Sequence, residues 1–352
     1  MRIATNEAMS TKTETSGIYP MQMISALIDA GRVMAKTQFE DGQVQPASLD
    51  LRLGKTAYRL RASFLPGTSR TVKSCLENTQ RGLVLTQIDL TGGAVLETGC
   101  VYLVPLQEYL ALPEELSASA NPKSSTGRLD VFTRVITDYG QQFDQIERGY
   151  DGPLYVEIAP RTFPVLAQTG ERLVQIRFRE GDMDVLRAQT VSIDLTGFGD
   201  DGIVGYRARR HAGLVTLTGR AHPAEDFWEP LRARHGTLIL DPEEFYILAS
   251  KEAVSIPVHE AAEMAPVALE MGEFRAHYAG FFDPGFGVDS AGGAGSRAVL
   301  EVRGRDVPFI LEDRQPVAKL LFERLIAAPN QLYGEGGSHY QAQGLRLSKH
   351  FI

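Results

Sequence analysis

The segment NPKSSTGRLD, residues 121–130, gathers side chains that bind anions. Ser124 and Ser125 are adjacent hydroxyls, and they lie between Lys123 and Arg128. Phosphate oxygens accept hydrogen bonds from hydroxyls, from the backbone N–H groups of a glycine-containing turn and from a planar guanidinium. An ordinary polar surface loop has a similar composition. The cluster by itself is therefore compatible with a surface loop and with half of a phosphate site.

Two glutamates supply groups that can transfer protons. Glu157 lies in LYVEIA and Glu301 in RAVLEV, and both stretches have the composition of β-strands. One carboxylate in a strand can simply be a charged side chain at the edge of a sheet, but two carboxylates at matching positions indicate a shared role. A carboxyl group that is kept from water has a raised pKa and can exchange a proton with a substrate near neutral pH.

The two glutamates are 144 positions apart, and the same spacing recurs along the chain. The other matched pairs are Tyr102 and Tyr246, Glu108 and Glu252, Pro113 and Pro257, Pro164 and Pro308, and Phe178 and Phe322. One offset shared by several pairs indicates a duplicated unit. We assign residues 1–17 to a disordered leader, residues 18–195 to a first repeat and residues 205–352 to a second repeat with a C-terminal tail.

Each repeat is predicted to be mainly β and to form a sandwich or barrel. VYLVPL, LYVEIA, FYILAS and RAVLEV are short runs of strand-forming residues, and turns rich in Gly, Pro and Asp separate such runs. A helix is predicted in PMQMISALIDAGRVM, where Ile24, Leu27 and Ile28 fall at helical spacing and Gly31 can end it. A second short helix is predicted in AEDFWEPLRARHG, around Trp228.

Composition limits the class of protein. The 352 residues suffice for two cores, and 43% hydrophobic with 23% charged residues is ordinary for a globular chain. No apolar run approaches the roughly 18 residues of a membrane span, and the N-terminus has no apolar signal core. We therefore expect no membrane association and a cytoplasmic location. The net charge of −8 argues against nucleic-acid binding, and Cys75 and Cys100 form neither a disulfide framework nor a zinc motif.

Six stretches resemble the dCTP deaminase branch of the dUTPase-like superfamily. They are QPASLDLRLG (45–54), KSSTGR (123–128), GERLVQIRF (170–178), FFDPGFG (281–287), AVLE (298–301) and HYQAQG (339–344). The resemblance implies two tandem dUTPase-like, distorted β-barrels of jelly-roll type with a few short helices. Single-copy members usually form homotrimers whose active sites lie across subunit boundaries. The implied reaction is the hydrolytic deamination of dCTP to dUTP and ammonia, which supplies dUTP for dUMP and dTTP synthesis.

The resemblance assigns the phosphate half of the site to the first repeat. Ser124 and Arg128 take the family's roles at the triphosphate and beside the reacting base. Lys123 and Ser125 are further phosphate donors, and Gln175 resembles another contact on the phosphate side. The second repeat has neither a serine pair nor this glutamine, so the phosphate half is expected once per chain.

The base-recognition half is better preserved in the second repeat. FFDPGFG resembles the family's turn that contacts deoxyribose and cytosine, and Asp283 is the acid in it. The first repeat has IERGYDG instead, with Glu147 at that position. Glu301 corresponds to the family's catalytic glutamate, and Glu157 is the alternative. The glycine-rich VDSAGGAGSR before Glu301 is predicted to be a flexible surface linker.

The C-terminal segment resembles a lid that folds over the nucleotide in this family. Tyr340 and Gln343 match its phosphate contacts, and His339 stands where a lysine is usual. The implied chemistry is zinc-free, because the His-x-Glu and Pro-Cys-x-x-Cys signatures of zinc deaminases do not occur in the sequence. Mg²⁺ is expected only with the triphosphate. His259, in HEAAE, is interpreted as a surface residue.

Several alternatives stay open at the level of sequence. IERGYDG also resembles the hairpin of dUTP pyrophosphatases, so a dUTPase or a bifunctional deaminase and dUTPase is the second hypothesis. An inactive nucleotide-binding regulator is the third. The resemblance makes dCTP and dUTP the expected ligands and dTTP a candidate inhibitor. The chain could be a monomer with an inter-repeat site or a homo-oligomer.

Overall fold

The computed structural model describes residues 16–182, 185–219, 222–266, 274–277, 280–336 and 340–352. The predicted leader lies almost wholly outside these residues. Its last residue, Gly17, pairs with Glu180 in a short strand, so this strand begins one residue before the predicted boundary of the first repeat. His339 also lies outside the described residues.

The first repeat contains three sheets. Its strands are β1 (Gly17–Ile18), β2 (Val33–Ala35), β3 (Val44–Gln45), β4 (Ser48–Arg52), β5 (Thr56–Leu60), β6 (Val84–Asp89), β7 (Ala94–Leu96), β8 (Val101–Ala111), β9 (Leu116–Pro122), β10 (Val131–Thr137), β11 (Gln145–Ile146), β12 (Asp151–Pro160), β13 (Val165–Ala167) and β14 (Arg172–Glu180). The sheet orders are β11-β9-β14-β4-β3 with β1 on β14, β10-β12-β8-β5-β6 with β2 on β8, and β13-β7.

The second repeat forms three corresponding sheets. Its strands are β15 (Arg187–Ser192), β16 (Gly205–Ala208), β17 (Val215–Thr216), β18 (Trp228–Leu231), β19 (Thr237–Leu240), β20 (Phe245–Ala253), β21 (Glu260–Pro266), β22 (Phe274–His277), β23 (Phe281–Phe282), β24 (Arg297–Gly304), β25 (Phe309–Glu312) and β26 (Pro316–Arg324). The orders are β15-β26-β21-β23, β18-β16-β20-β24-β22 and β19-β25, whereas β17 joins β13 of the first repeat. Because β15 pairs with β26, we propose a repeat boundary between Glu180 and Arg187 in place of residue 195.

Four short α-helices occur in the described part of the chain: α1 (Met21–Asp29), α2 (Val72–Glu77), α3 (Ser124–Gly127) and α4 (Ala224–Phe227). The first predicted helix is confirmed as α1, which buries Ile24 and Leu27 and is followed by Gly31 with φ +65°. The second is confirmed as α4, but Trp228 begins strand β18 rather than continuing the helix. None of the described helices is long and apolar enough to cross a membrane.

The strand registers confirm the duplication. Leu103 faces Glu157 in the first repeat, and Ile247 faces Glu301 in the second, each 144 positions later. The same offset relates the pairing of Leu96 with Val165 to that of Leu240 with Phe309. The predicted fold class is also confirmed, because the described chain is mainly β and repeats one set of sheets. The glutamates therefore occupy equivalent positions in equivalent strands.

The tyrosines of the duplicated motif make the same hydrogen bond in both repeats. The Tyr102 hydroxyl accepts from the Glu97 backbone N–H at 3.0 Å, and the Tyr246 hydroxyl accepts from the Asp241 N–H at 2.8 Å. Both side chains are buried. Each hydroxyl thus satisfies a backbone donor five residues before its own tyrosine, and this fixes how the chain enters β8 and β20.

Replacing Tyr246 by phenylalanine is expected to destabilise the protein by about 1–2 kcal/mol, because the Asp241 N–H loses its partner without a change in packing. Tyr102→Phe should cost a similar amount. Urea denaturation followed by tryptophan fluorescence measures both. Tyr139→Phe is the control, since Tyr139 is exposed, and equal losses in all three variants would show that the two buried hydroxyls have no special role.

One hydrophobic core is shared between the repeats. The cluster that fills the first repeat also contains Trp228, Phe245 and Val299 of the second, together with Phe351 near the C-terminus. The Trp228 ring lies 5.4 Å from the Phe163 ring and 5.7 Å from the Phe351 ring, centroid to centroid. This packing holds the second repeat and the last residues of the chain against the first repeat.

Candidate active site

A cavity of about 990 Å³ lies where the two repeats meet. Its walls come from α3 and β14 of the first repeat, from β24 and the turn after β23 of the second, and from the C-terminal segment. The structure brings nine of the ten predicted site residues to this cavity: Lys123, Ser124, Ser125, Arg128, Gln175, Asp283, Glu301, Tyr340 and Gln343. The remaining one, Glu157, lies elsewhere. Residues from both predicted half-sites therefore line one cavity within one chain.

The serine segment is buried and is not an ordinary surface loop. Lys123 follows β9, its backbone N–H donates to the Leu173 carbonyl at 2.9 Å, and Ser124–Gly127 forms the single turn α3. Ser125 and Arg128 are both buried. The Ser124 hydroxyl oxygen lies 3.9 Å from where a Cβ on Gly280 would be. The first serine therefore faces the second repeat across the cavity.

Glu301 lies in β24 with its carboxyl group turned into the cavity. The residue is 6% exposed, and burial raises the pKa of its carboxyl group to about 8, although Arg128 acts in the opposite direction. The Arg128 Nε lies 3.8 Å from Glu301 Oε1. At neutral pH the carboxyl group is thus largely protonated, but a guanidinium stands ready to stabilise its ionised form.

Arg128 connects Glu301 to the C-terminal segment. Its guanidinium donates to the Gln343 side-chain oxygen and to the Arg346 carbonyl, each at 3.1 Å, and stacks 4.0 Å from the centre of the Tyr340 ring. Within the described residues the Arg128 Nε has no hydrogen-bond acceptor, and this is the nitrogen that faces Glu301. One side chain therefore organises three parts of the cavity wall.

The C-terminal segment is folded over the serine segment. The Ser348 hydroxyl donates to the Ser125 carbonyl at 2.8 Å, and the Gln343 amide donates to the Arg297 carbonyl at 2.9 Å. The Tyr340 hydroxyl accepts from the Lys349 backbone N–H at 3.1 Å. The segment thus covers the cavity as the predicted lid would.

The glycine-rich segment before β24 is not a free linker, so the prediction of a flexible surface linker is wrong. Gln341 donates to the Ala291 carbonyl at 3.1 Å, and the Ala342 N–H donates to the Ser296 hydroxyl at 3.0 Å. Ser296 is fully buried. The C-terminal segment fixes the loop, a long-range contact that local composition does not reveal.

Comparison with known proteins identifies the family. The N-terminal domain family of 2′-deoxycytidine 5′-triphosphate deaminase matches residues 15–182, and the C-terminal domain family of the same enzyme matches residues 171–351. The chain belongs to the dCTP deaminase family. The crystal structure of 2′-deoxycytidine 5′-triphosphate deaminase from Agrobacterium tumefaciens is 53% identical, covers 88% of this chain and 99% of its own, and superposes with a TM-score of 0.84.

Shorter members of the dCTP deaminase family match about two fifths of this chain. A dUMP-forming dCTP deaminase of Beutenbergia cavernae is 30% identical over 156 residues, which are 44% of this chain and 75% of the relative. A dCTP deaminase of Haloarcula marismortui is 28% identical over 146 residues, which are 40% of this chain and 68% of the relative. The resemblance first seen in six motifs is confirmed.

The Asp283 turn of this dCTP deaminase family member is shaped by two glycines. Gly285 and Gly287 have φ of +96° and +72°, and a Cβ on Gly287 would lie 1.8 Å from the Val254 carbonyl oxygen. Asp283 is buried, and its carboxylate accepts from Arg177 Nη2 at 3.0 Å. Burial raises the pKa of the Asp283 carboxyl group, and Arg177 opposes this. The turn is therefore rigid and seated against the first repeat.

Positive side chains cluster around Asp50 in the cavity wall. Lys123 donates to Asp50, Arg172 Nη1 lies 3.9 Å from Asp50 Oδ2, and Lys349 lines the same wall. Burial, followed by the charge of Lys123, lowers the pKa of the Lys349 ammonium. Lys349 therefore lies beside Lys123 and Arg172, with Asp50 and Glu171 also near it, and three basic side chains in one wall can bind a polyanionic ligand.

Three contributions to the site were missed by sequence reasoning. Lys349, five residues beyond the HYQAQG motif, and residues 217–219, which follow β17, line the cavity. The Thr218 hydroxyl donates to Glu171 at this rim. Arg177, inside the GERLVQIRF motif, lies behind the cavity wall and contacts Asp283. Period-2 alternation with Gln175 could have drawn attention to Arg177. No signal in the sequence points to Lys349 or to residues 217–219.

Glu157 does not reach the cavity. Its buried carboxylate pairs with Arg134, whose Nη2 lies 2.5 Å from Glu157 Oε1, and Arg134 also donates to Ser63 at 2.9 Å. Glu157 thus occupies the equivalent strand position in a different environment, and of the two candidate glutamates only Glu301 lines the cavity.

The different environment of Glu157 comes from the segment that connects β5 to β6 in the first repeat. Residues 61–83 contain α2 and pack Phe64 and Leu76 against Tyr155, on the face of the sheet that carries Glu157. The second repeat has Val299 at the position equivalent to Tyr155, and Val299 lines the cavity. This segment thus covers a face whose counterpart in the second repeat lines the cavity, whereas the corresponding connection from β16 to β18 places Val215 and Phe227 in the shared core.

Proposed function

We propose that this chain catalyses the hydrolytic deamination of dCTP to dUTP and ammonia. The single observation that carries the proposal is the placement of the buried Glu301 beside Arg128 and the serine pair in one cavity of a dCTP deaminase family member. A carboxyl group of this kind can act as both acid and base in one reaction cycle.

The two ends of the cavity suggest how the nucleotide lies. Lys123, Arg172 and Lys349 offer positive charge to the triphosphate at one end, and Ser125 adds a donor. Glu301 and Arg128 would then face the cytosine at the other end, with Asp283 beside the sugar. The folded C-terminal segment would exclude bulk water from the base.

Glu301 can serve each proton transfer of the reaction. The protonated carboxyl group donates its proton to N3 of cytosine, which makes C4 more electrophilic. The resulting carboxylate, stabilised by Arg128, then accepts a proton from water as the oxygen bonds to C4. The same proton is delivered to the amino group, the C4–N bond breaks, and ammonia leaves. The remaining hydroxyl proton then passes to Glu301, which restores its protonated carboxyl group, and the base, now a neutral uracil that keeps its proton on N3, is released as dUTP.

We further propose that Mg²⁺ enters with the triphosphate as part of the substrate. Asp50 lines the phosphate end, and within the described residues its Oδ1 is buried without a hydrogen-bond donor. Such an orphan carboxylate oxygen fits a hydrated magnesium ion, which would offset the charge of the triphosphate. The described residues contain no group of three or more His, Cys, Asp or Glu side chains placed to hold a metal ion by themselves.

A second candidate function is the formation of dUMP in the same site. The relative from Beutenbergia cavernae is named a dUMP-forming dCTP deaminase, and this favours a bifunctional reaction that also releases pyrophosphate. An inactive nucleotide-binding regulator is the third candidate. Cytoplasmic location and inhibition by dTTP stay predictions from the sequence.

Incubation of the purified chain with dCTP and Mg²⁺ separates these functions. Ammonia and dUTP in equal amounts without pyrophosphate support the deaminase. Ammonia with dUMP and pyrophosphate supports the bifunctional enzyme, and pyrophosphate from dUTP without ammonia from dCTP supports a dUTPase. Binding of dCTP without any product would contradict catalysis and support the regulator.

Replacing Lys349 by methionine is expected to raise KM for dCTP about tenfold with little change in kcat, because one charge-assisted contact to phosphate is worth about 1.5 kcal/mol. Steady-state ammonia release measures both constants. Lys73→Met is the matched control, since Lys73 is exposed on α2 and away from the cavity. An unchanged KM in the Lys349 variant would place the triphosphate elsewhere.

A further inference from the structure

Arg177 connects the Asp283 turn to the first repeat. It lies on β14 two residues beyond Gln175, so both side chains project from the same face of the strand. Its side chain is fully buried. A guanidinium at such a depth is costly unless its donors are satisfied, which makes its contacts informative.

The guanidinium of Arg177 is held by acceptors from both repeats. It donates to the Ala47 carbonyl of the first repeat at 3.3 Å and to the Ala262 carbonyl of the second at 3.2 Å. On the second repeat it also donates to the Phe282 carbonyl at 3.3 Å and to the Asp283 carboxylate at 3.0 Å. Its carbon lies 4.0 Å from the centre of the Phe281 ring.

These contacts involve three consecutive residues of one turn. Phe281 stacks on the guanidinium, Phe282 accepts through its carbonyl, and Asp283 accepts through its side chain. A planar group with five donors in a fixed geometry can satisfy such a set at once, whereas an ammonium group cannot. The orientation of the Asp283 carboxylate in the cavity is therefore defined by a residue of the first repeat.

We propose that Arg177 is a positioning residue that sets the Asp283 carboxylate relative to the serine segment and so determines nucleotide affinity. The inference rests on the proposed function in taking dCTP as the ligand. Arg177 itself does not line the cavity. Its effect on the nucleotide is therefore exerted through Asp283.

Arg179 offers a matched control on the same face of β14. It also bridges the repeats, because it donates to Ser119 of the first repeat and to Glu323 Oε2 of the second at 2.9 Å. It contacts no residue of the Asp283 turn among the hydrogen bonds and ion pairs of the described chain, and it does not line the cavity. Loss of Arg179 should weaken the repeat interface without moving Asp283.

A double-mutant cycle on dCTP affinity tests the proposal. Arg177→Met and Asp283→Asn should each raise the dissociation constant for dCTP about tenfold or more. Because the two residues act as one unit, the dissociation constant of the double variant should exceed that of the weaker-binding single variant by less than about twofold. Arg179→Met should change affinity less than about threefold and combine independently with Asp283→Asn. Calorimetry with dCTP and Mg²⁺ gives the constants, and Arg177→Lys replaces the methionine variant if that variant does not fold.

The outcomes separate this inference from the proposed function. Multiplying effects of Arg177→Met and Asp283→Asn, or equal effects of Arg177→Met and Arg179→Met, would overturn the positioning role even in an active enzyme. If the effects of Arg177→Met and Asp283→Asn on dCTP binding are coupled but the wild-type chain releases no ammonia, the positioning role is retained and the deaminase function is rejected. If the wild-type chain is active and the two substitutions are coupled in both dCTP affinity and KM, the positioning role and the deaminase function are both supported.

Discussion

Replacing Glu301 by glutamine is expected to lower kcat for dCTP deamination by about 10³-fold, at the middle of the range for loss of a general acid–base group. The amide cannot give a proton to N3 of cytosine or take one from water, but it has nearly the same size as the carboxyl group. Binding of dCTP should therefore persist. Ammonia release and calorimetry on the same preparation separate the two effects.

The first repeat provides the matched control for this variant. Glu157 occupies the equivalent strand position but pairs with Arg134 under residues 61–83, which connect β5 to β6. Glu157→Gln should leave kcat within about twofold of wild type, because its partner lies outside the cavity and only stability should respond. Turnover lost in Glu157→Gln and kept in Glu301→Gln would reverse our assignment.

Replacing Arg128 by methionine is expected to reduce kcat/KM by about 10³-fold, because a buried guanidinium that contacts several partners is lost at once. Its hydrogen bonds to Gln343 and the Arg346 carbonyl hold the C-terminal segment, and its Nε faces Glu301. Arg134→Met, the equivalent change beside Glu157, is the control and should leave kcat/KM nearly unchanged.

The same variant should also shift the pH profile. Burial raises the pKa of Glu301 to about 8, and the positive charge of Arg128 lowers it from what burial alone would give. The proposed mechanism needs the protonated form to begin, so kcat/KM should fall as pH rises through about 8. Removal of Arg128 should move this fall to higher pH, and a shift to lower pH would contradict the pairing of Arg128 with Glu301.

Much of the fold could be predicted because its determinants are local or repeated. Strands β8, β12, β20 and β24 follow from their composition, and the 144-residue offset aligns their registers. The division of the site between a phosphate half and a base half came from comparing the repeats, and the cavity contains residues of both halves.

What the sequence did not reveal depends on contacts between distant segments. Glu157 and Glu301 have different surroundings because residues 61–83 cover the sheet face that carries Glu157, whereas the equivalent face with Glu301 lines the cavity. No local sequence pattern shows this difference. Lys349 lines the cavity because the C-terminal segment is held in place, by Phe351 in the shared core and by the hydrogen bond from Ser348 to Ser125. The glycine-rich loop is fixed by Gln341, about 50 residues farther along the chain. Sequence alone underestimates order that long-range hydrogen bonds impose.

The central claim is that one chain builds a complete deaminase site from its two repeats, and complementation tests it most directly. Arg128→Met carries the defect in the first repeat and Glu301→Gln carries it in the second. The two variants are co-expressed with different tags, purified together and separately, and assayed for ammonia from dCTP. We predict that the mixture has no more activity than the separate variants, because each chain keeps its own broken site. Restored deamination in the mixture would show that the halves come from different chains and would contradict the account.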